Sequence, residues 1–253
     1  MRWLALLAVL LAGGCGGGGG DMERMPVASG LLGRTLEQGV YDPGEAGRPL
    51  LVLLHGRGSD PEDVWTLGLR EDLERLGSRA PAVLLVDGGD HSYYHDRRDG
   101  RWGEYVMREA IPAALERLHA DPDRIAIGGI SMGGFGALDL ARLHPDRFCA
   151  VGGHSPALWR TGGETPAGAF DDAEDFARHD LFGDPAGGNA AVWIDVGVDD
   201  PFHDAARAYA QLLEQHGRQV TFHSWDGGHD RDYWKQHLEE YLGFYADTLT
   251  RCQ

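Results

Sequence analysis

The chain has 253 residues, enough for one large α/β domain with a well-buried core, and length alone does not call for a second. Its 40 acidic residues outweigh 23 basic ones for a formal net charge of -17, which repels polyphosphates and argues against a nucleic-acid ligand. The 38 glycines and 12 prolines indicate many tight turns, although some of the glycines form a single run near the start.

That start reads MRWLALLAVLLAGGC. One positive charge, an apolar stretch from Trp3 to Ala12 too short to span a bilayer as a mature helix, and small residues before Cys15 are the marks of an export signal. Ala12-Gly13-Gly14-Cys15 resembles a bacterial lipobox, with Ala12 where Leu is more usual, and implies that Cys15 is lipidated; plain secretion is the alternative. Gly16 to Gly20 cannot hold a fixed backbone and read as a tether. The expected organisation is a signal peptide over 1–14, a glycine-rich tether over 15–24 and a folded domain over 25–253. The expected location is the outer face of a bacterial membrane through a lipid anchor, otherwise the periplasm or the medium. Cys149 and Cys252 remain in the domain; export permits a disulfide between them, and a buried free thiol at Cys149 is the competing expectation.

An antiparallel start between Val27 and Tyr41 is followed by apolar runs of strand length at Leu50 to Leu54, Ala82 to Val86, Arg124 to Gly128, Phe148 to Gly152, Ala191 to Val196 and Val220 to Ser224. Helical periodicity fills the intervals: Pro61 to Leu76, Glu104 to His119, Met132 to Leu143, His203 to His216 and Arg231 to Thr248. In the last of these Trp234, Leu238, Tyr241 and Tyr245 form one apolar face expected to be core. Strands alternating with helices predict a mostly parallel central sheet with helices on both faces. Thr161 to Asn189 breaks the rhythm with Gly, Pro and acidic residues around a short helix near Asp171 to Arg178, and reads as an excursion beside the active site, with a solvated loop as the alternative.

Gly129-Ile130-Ser131-Met132-Gly133 fits G-x-S-x-G and lies after a strand and before a helix. A sharp turn there strains the central residue and leaves no room for side chains two positions either way, which the glycines satisfy. Serine is a poor nucleophile near neutral pH and needs a base, which in turn needs an acid to hold its tautomer. Both should follow Ser131 on loops at the carboxyl ends of later strands. His229, in Asp226-Gly227-Gly228-His229-Asp230, is the expected base. Asp200, three residues after Gly197 and before Pro201, is favoured as the acid over its neighbour Asp199. The expected oxyanion donors are the backbone N–H of Met132 and that of Arg57, with Gly56 as the alternative to Arg57. His55 reads as a packed, hydrogen-bonded loop histidine. No Cys/His ligand spacing suggests a metal, and His91 and His95 at i, i+4 lack a third ligand.

With these residues in place, the segments LLHGRGSD, VDGGDHSYYHD, GISMGGFGAL with HPDRF, GVDDPF and GGHDRDYW resemble, in order, the esterase D-type branch of the α/β-hydrolases. That branch includes feruloyl and acetyl xylan esterases, S-formylglutathione hydrolases and mycolyltransferases. The resemblance covers Pro49 to Leu249 and implies the α/β-hydrolase fold for the catalytic domain, with Ser131 as nucleophile, Asp200 as acid and His229 as base. It also places the His91 to Asp96 segment beside the substrate. Tyr94 and nearby Trp102 are accordingly candidates to line the substrate pocket, with plain packing as the equal alternative, and Trp159, with His154 and Ser155, follows the strand beyond the nucleophile as a further candidate to border the cleft. The activity implied is serine-dependent hydrolysis of small acyl or carbohydrate esters through an acyl-enzyme, without metal or organic cofactor. The rivals are an acyltransferase with a sugar or lipid hydroxyl as acceptor and a non-catalytic lipoprotein that binds carbohydrate or protein. A peptidase of this fold is disfavoured because such enzymes usually carry an additional large domain.

Overall fold

The computed structural model describes residues 22–185 and 188–252. The expected signal peptide, Cys15 and most of the tether therefore lie outside the described residues. Its eight-stranded sheet runs in the order β1 (Glu23–Ser29), β2 (Arg34–Tyr41), β4 (Ala82–Val86), β3 (Leu50–Leu54), β7 (Ile125–Ile130), β8 (Ala150–His154), β9 (Ala191–Gly197), β10 (Val220–Trp225). β2 pairs antiparallel with β1 and β4, and every other pairing is parallel. A two-stranded ribbon, β5 (Asp96–Arg97) and β6 (Gly100–Arg101), stands apart.

Alternate residues of the central strands enter two separate cores, as a two-sided sheet requires. Leu50, Val52, Ile125 and Ile127 meet α3 (Trp102–Tyr105), α4 (Ile111–Arg117), α5 (Met132–Leu143) and α7 (His203–Gln215). Leu51, Leu53, Val83 and Ala126 meet α1 (Pro61–Val64), α2 (Arg70–Leu76) and α9 (Leu238–Arg251). This is the α/β-hydrolase architecture. Among the described residues no helix is long and apolar enough to cross a membrane.

The boundaries depart from expectation where local chemistry intervenes. The domain starts before residue 25, because Met22 is buried and β1 begins at Glu23, so the last tether positions belong to the sheet. The run from Pro61 is interrupted by a π-helical turn at Trp65–Leu69, where Gly68 has φ 105°. A second π turn at Val106–Ala110 precedes Pro112, whose ring cannot donate a helical hydrogen bond and crowds the carbonyl four residues back. The final run divides into α8 (Arg231–Gln236) and α9 at His237, whose ring stacks on Trp225 with centroids 4.0 Å apart. The short helix of the excursion is α6 (Ala173–Arg178), capped by Asp172. Cys149 and Cys252 are joined as a disulfide with Cα atoms 5.9 Å apart, so the free-thiol expectation for Cys149 is corrected. The two meet because Cys149 immediately precedes β8 and packs on the side of the sheet that α9 covers, where that helix ends beside Cys252.

Candidate active site

Six parallel strands point their carboxyl ends to the same edge of the sheet, and the site is assembled from the loops that leave them. β7 runs directly into α5, and at the junction Ser131 takes φ 55° and ψ −113°, the left-handed half of the map that a side-chain-bearing residue occupies at a cost of about 1–3 kcal/mol. A Cβ on Gly129 would strike the backbone of Gly133, and one on Gly133 would strike the carbonyl of Leu54. The bend is held by the N–H of Ser131 donating to the carbonyl of His154 at 3.0 Å and by Ala157 N–H donating to the carbonyl of Ser131 at 3.0 Å.

β9 and β10 supply the partners. After β9, the N–H of Asp200 closes a turn on the carbonyl of Gly197 at 3.2 Å, while Val198 and Asp199 donate to the carbonyls of Trp225 and Gly227 in the loop after β10. The two loops therefore travel side by side, and Gly197 must lack a side chain because the backbone of Gly227 and Gly228 passes over it. In that arrangement Asp200 is 4% exposed, whereas Asp199 is exposed to solvent. His229 Nδ1–H donates to Asp200 Oδ2 at 2.7 Å, and the other oxygen, Oδ1, accepts the N–H of Phe202 at 2.8 Å. With the proton kept on Nδ1 by this acceptor, Nε2 is left to accept the Ser131 hydroxyl, 2.8 Å away. The rings of Phe202 and Trp234 stand edge-on to the imidazole, with centroids 5.2 and 5.3 Å from it, and restrict its rotation.

The loop after β3 completes the site. Gly56 approaches so closely that a Cβ there would lie 3.6 Å from that of Ser131, and Gly58, with φ 68°, donates to the carbonyl of Asp90 at 2.8 Å. Arg57 thus faces Ser131 across the cavity, and Met132 opens α5 at the N-terminal end, where backbone N–H groups have no helical acceptor. His55 holds this loop in place. Its Nε2 accepts the N–H of Gly88 at 3.0 Å and its Nδ1–H donates to the carbonyl of Gly56 at 2.8 Å, while burial pushes its pKa down and keeps the ring neutral.

Ser131 and His229 open onto a cavity of about 300 Å³ whose walls include Arg57, Val64, Leu67, Arg231 and Trp234. Arg231 spans its mouth, donating to the Asp63 carbonyl at 3.1 Å and to Thr66 Oγ1 at 2.9 Å. None of the three expected substrate residues lines it. Tyr94 is fully buried and donates its hydroxyl to the carbonyl of His55 at 3.2 Å, so it supports the β3 loop from beneath. Trp102 lies under the Arg34 guanidinium, 4.9 Å from it, and borders a different cavity. Trp159 packs edge-on against Phe202 at 5.8 Å and reaches His229 only through that ring. His154 and Ser155 are also sealed, 1% and 0% exposed, below the bend rather than at the cleft. The residues missed are Leu67 and Trp234. Both sit in stretches whose periodicity marks them as core, and it is the π turn at Gly68 and the helix break at His237 that accompany their exposure to the cavity.

Residues 29–245 match a family model described as Putative esterase. Over 214 residues the chain is 24% identical to an acetyl esterase of Caldicellulosiruptor saccharolyticus, a match that spans 74% of this chain and 79% of that one. It is 26% identical over 278 residues to the diacylglycerol acyltransferase/mycolyltransferase Ag85A of Mycobacterium leprae, across 88% of this chain and 84% of that one. A solved ferulic acid esterase shares the fold with a TM-score of 0.79 at 23% identity, over 90% of this chain and 98% of the other.

Proposed function

The chain belongs to the putative esterase family, and we propose from that premise that it hydrolyses small carboxylic esters with Ser131, His229 and Asp200 as its catalytic triad. The observation that carries this reading is the unbroken hydrogen-bonded line from Ser131 Oγ through the imidazole to a buried carboxylate, at 2.8 and 2.7 Å. In the reaction Ser131 Oγ attacks the ester carbonyl carbon as His229 Nε2 takes its proton. The carbonyl oxygen becomes an oxyanion held by the backbone N–H groups of Met132 and Arg57. The imidazolium, stabilised by Asp200, then returns the proton to the departing alcohol, leaving an acyl-serine. A water molecule, deprotonated by the same imidazole, adds to the acyl carbon and releases the acid and the free serine.

Size supports the substrate class. A cavity of about 300 Å³ is at the small end of ligand sites, enough for a short acyl group or one sugar unit. The similarity to a mycolyltransferase supports a second reading, transfer of the acyl group to a sugar or lipid hydroxyl, which uses the same first half-reaction. Export with lipidation at Cys15 is also proposed. Its support is the Met1 to Cys15 pattern together with the Cys149–Cys252 disulfide, which belongs in an oxidising compartment.

A fluorophosphonate probe tests the enzyme directly: it should label Ser131 in the folded wild type and leave Ser131→Ala unmodified, with p-nitrophenyl acetate turnover falling at least about 10³-fold in the variant. Undiminished turnover in folded Ser131→Ala would refute the proposal. Adding alcohol acceptors to the same assay separates hydrolysis from transfer by the ester product formed.

A further inference from the structure

We infer that His95, Asp175 and His179 form a binding site for one divalent transition-metal ion of the zinc type, apart from the catalytic cavity. The donor atoms of these three buried side chains all lie within 4.8 Å of one another. His95 Nε2–H donates to the carbonyl of Ala169 at 3.1 Å, so its Nδ1 carries a lone pair. That atom is buried and has no hydrogen-bond partner among the described residues. His179 Nδ1–H donates to Asp139 Oδ2 at 2.7 Å, which likewise leaves Nε2 with a lone pair. Asp175 Oδ1 lies 3.7 Å from the first nitrogen and 3.9 Å from the second.

Two imidazole nitrogens and a carboxylate oxygen thus gather within 4.8 Å of one another, the oxygen accepting from Arg178, and a cation bound among them would engage all three. Bonds of about 2.0–2.1 Å to zinc put neighbouring tetrahedral ligands about 3.4 Å apart, so the Asp175 distances need close by only a few tenths of an ångström. The surroundings have the form of a metal's outer shell. A carbonyl orients one imidazole and a carboxylate the other, and Asp139 is held in turn by Arg142, 2.7 Å from its Oδ1. Asp175 Oδ2 is anchored by the N–H of Asp171 at 2.8 Å. The competing cation is Arg178, which donates to Asp175 Oδ1 at 3.0 Å from a half-exposed position and can turn to solvent. His179, 8% exposed, is the way in.

The consequence is architectural. His95 belongs to the loop after β4, whereas Asp175 and His179 belong to the excursion carrying α6, so an ion would pin one to the other. His95 stacks on Phe170 at 5.0 Å, and Phe170 in turn meets Trp159.

The test is metal binding by the full chain after treatment with a chelator. Titration with zinc should give one ion per molecule and raise the melting temperature, and cobalt should give the visible absorption of a four-coordinate nitrogen and oxygen site. His179→Ala removes the most exposed ligand and, whatever the loss of its hydrogen bond to Asp139 does to the melting temperature of the metal-free protein, should abolish both metal effects. Asp139→Asn keeps all three ligands but removes the charge behind His179 and should weaken binding about 10–100-fold. Wild-type protein that takes up no ion with zinc in excess, or binding of equal affinity in His179→Ala, overturns the inference.

Discussion

The carbonyl of His154 accepts the backbone N–H of Ser131 at 3.0 Å, which ties the main chain of the proposed nucleophile to a residue whose imidazole is sealed against Asp195. The Asp195 carboxylate is 0% exposed and accepts four hydrogen bonds: from His154 Nδ1 at 2.7 Å, Trp193 Nε1 and Tyr241 at 2.8 Å, and Tyr233 at 3.1 Å. Tyr233 lies in α8, directly after the His229 loop. One carboxylate beneath the site therefore joins the bend that presents Ser131 to the helix that follows the His229 loop.

Replacing that carboxylate strands four buried donors at once. Asp195→Ala should lose about 3–5 kcal/mol of unfolding free energy, the range for removing one member of a buried charged network. Urea unfolding measures it, and a loss within the range of ordinary surface substitutions would contradict the role assigned here.

Asp200 and Asp199 are adjacent in sequence but not in chemistry. Asp200→Asn preserves the shape while offering Nδ1 of His229 the wrong partner, so kcat should fall about 10⁴-fold with little change in KM. Asp199→Asn, at an exposed position, should leave kcat within about twofold, in line with small effects of surface changes. Equal effects in the two variants would show that the acid is not Asp200.

The contrast shows what the chain discloses before folding. The meeting of Ser131, His229 and Asp200 in one hydrogen-bonded line was legible because each sits at a strand end beside glycines, a local pattern that one stretch of sequence carries whole. Leu67 and Trp234 were not, because their exposure to the cavity accompanies interruptions in a helix rather than periodicity. Tyr94 and Trp102 mislead for the opposite reason: they stand in the right segment, yet their rings turn inward. His95 was weighed only with His91, a pair set aside for want of a third ligand, whereas Asp175 and His179, which the fold brings beside it, are some eighty residues away by chain order, beyond any spacing rule.

The disulfide closes a separation of 103 residues. Chain-entropy estimates for so long a loop are about 4–5 kcal/mol, and measured losses for native disulfides run about 2–5 kcal/mol. Cys252→Ser should therefore lower the melting temperature markedly, and dithiothreitol should reproduce the shift in the wild type but not in the variant. Calorimetry with and without reductant checks both arms.

Acid should weaken the fold before it affects any carboxylate. Burial holds the imidazoles of His55 and His237 below their ordinary value of 6.5. The unfolded chain then binds protons that the folded chain refuses, so their contribution is complete above about pH 6.5 and is lost as the pH falls below it. Protonating His55 also deprives the N–H of Gly88 of its acceptor. Melting temperatures should decline from pH 7 toward pH 5, and His237→Phe, which keeps the ring stacked on Trp225 without a titrating nitrogen, should make the decline shallower. An unchanged acid limb in that variant would remove His237 from the explanation.

Ser131 occupies a backbone conformation that glycine adopts freely, so the residue the proposed reaction requires is not the one the polypeptide would choose there. Ser131→Gly should be inert yet sturdier than the wild type, by about 1 kcal/mol or more. A library of this gene screened only for heat tolerance would drift toward molecules that survive well and do nothing, and any campaign to toughen the protein must carry a turnover assay beside the thermometer.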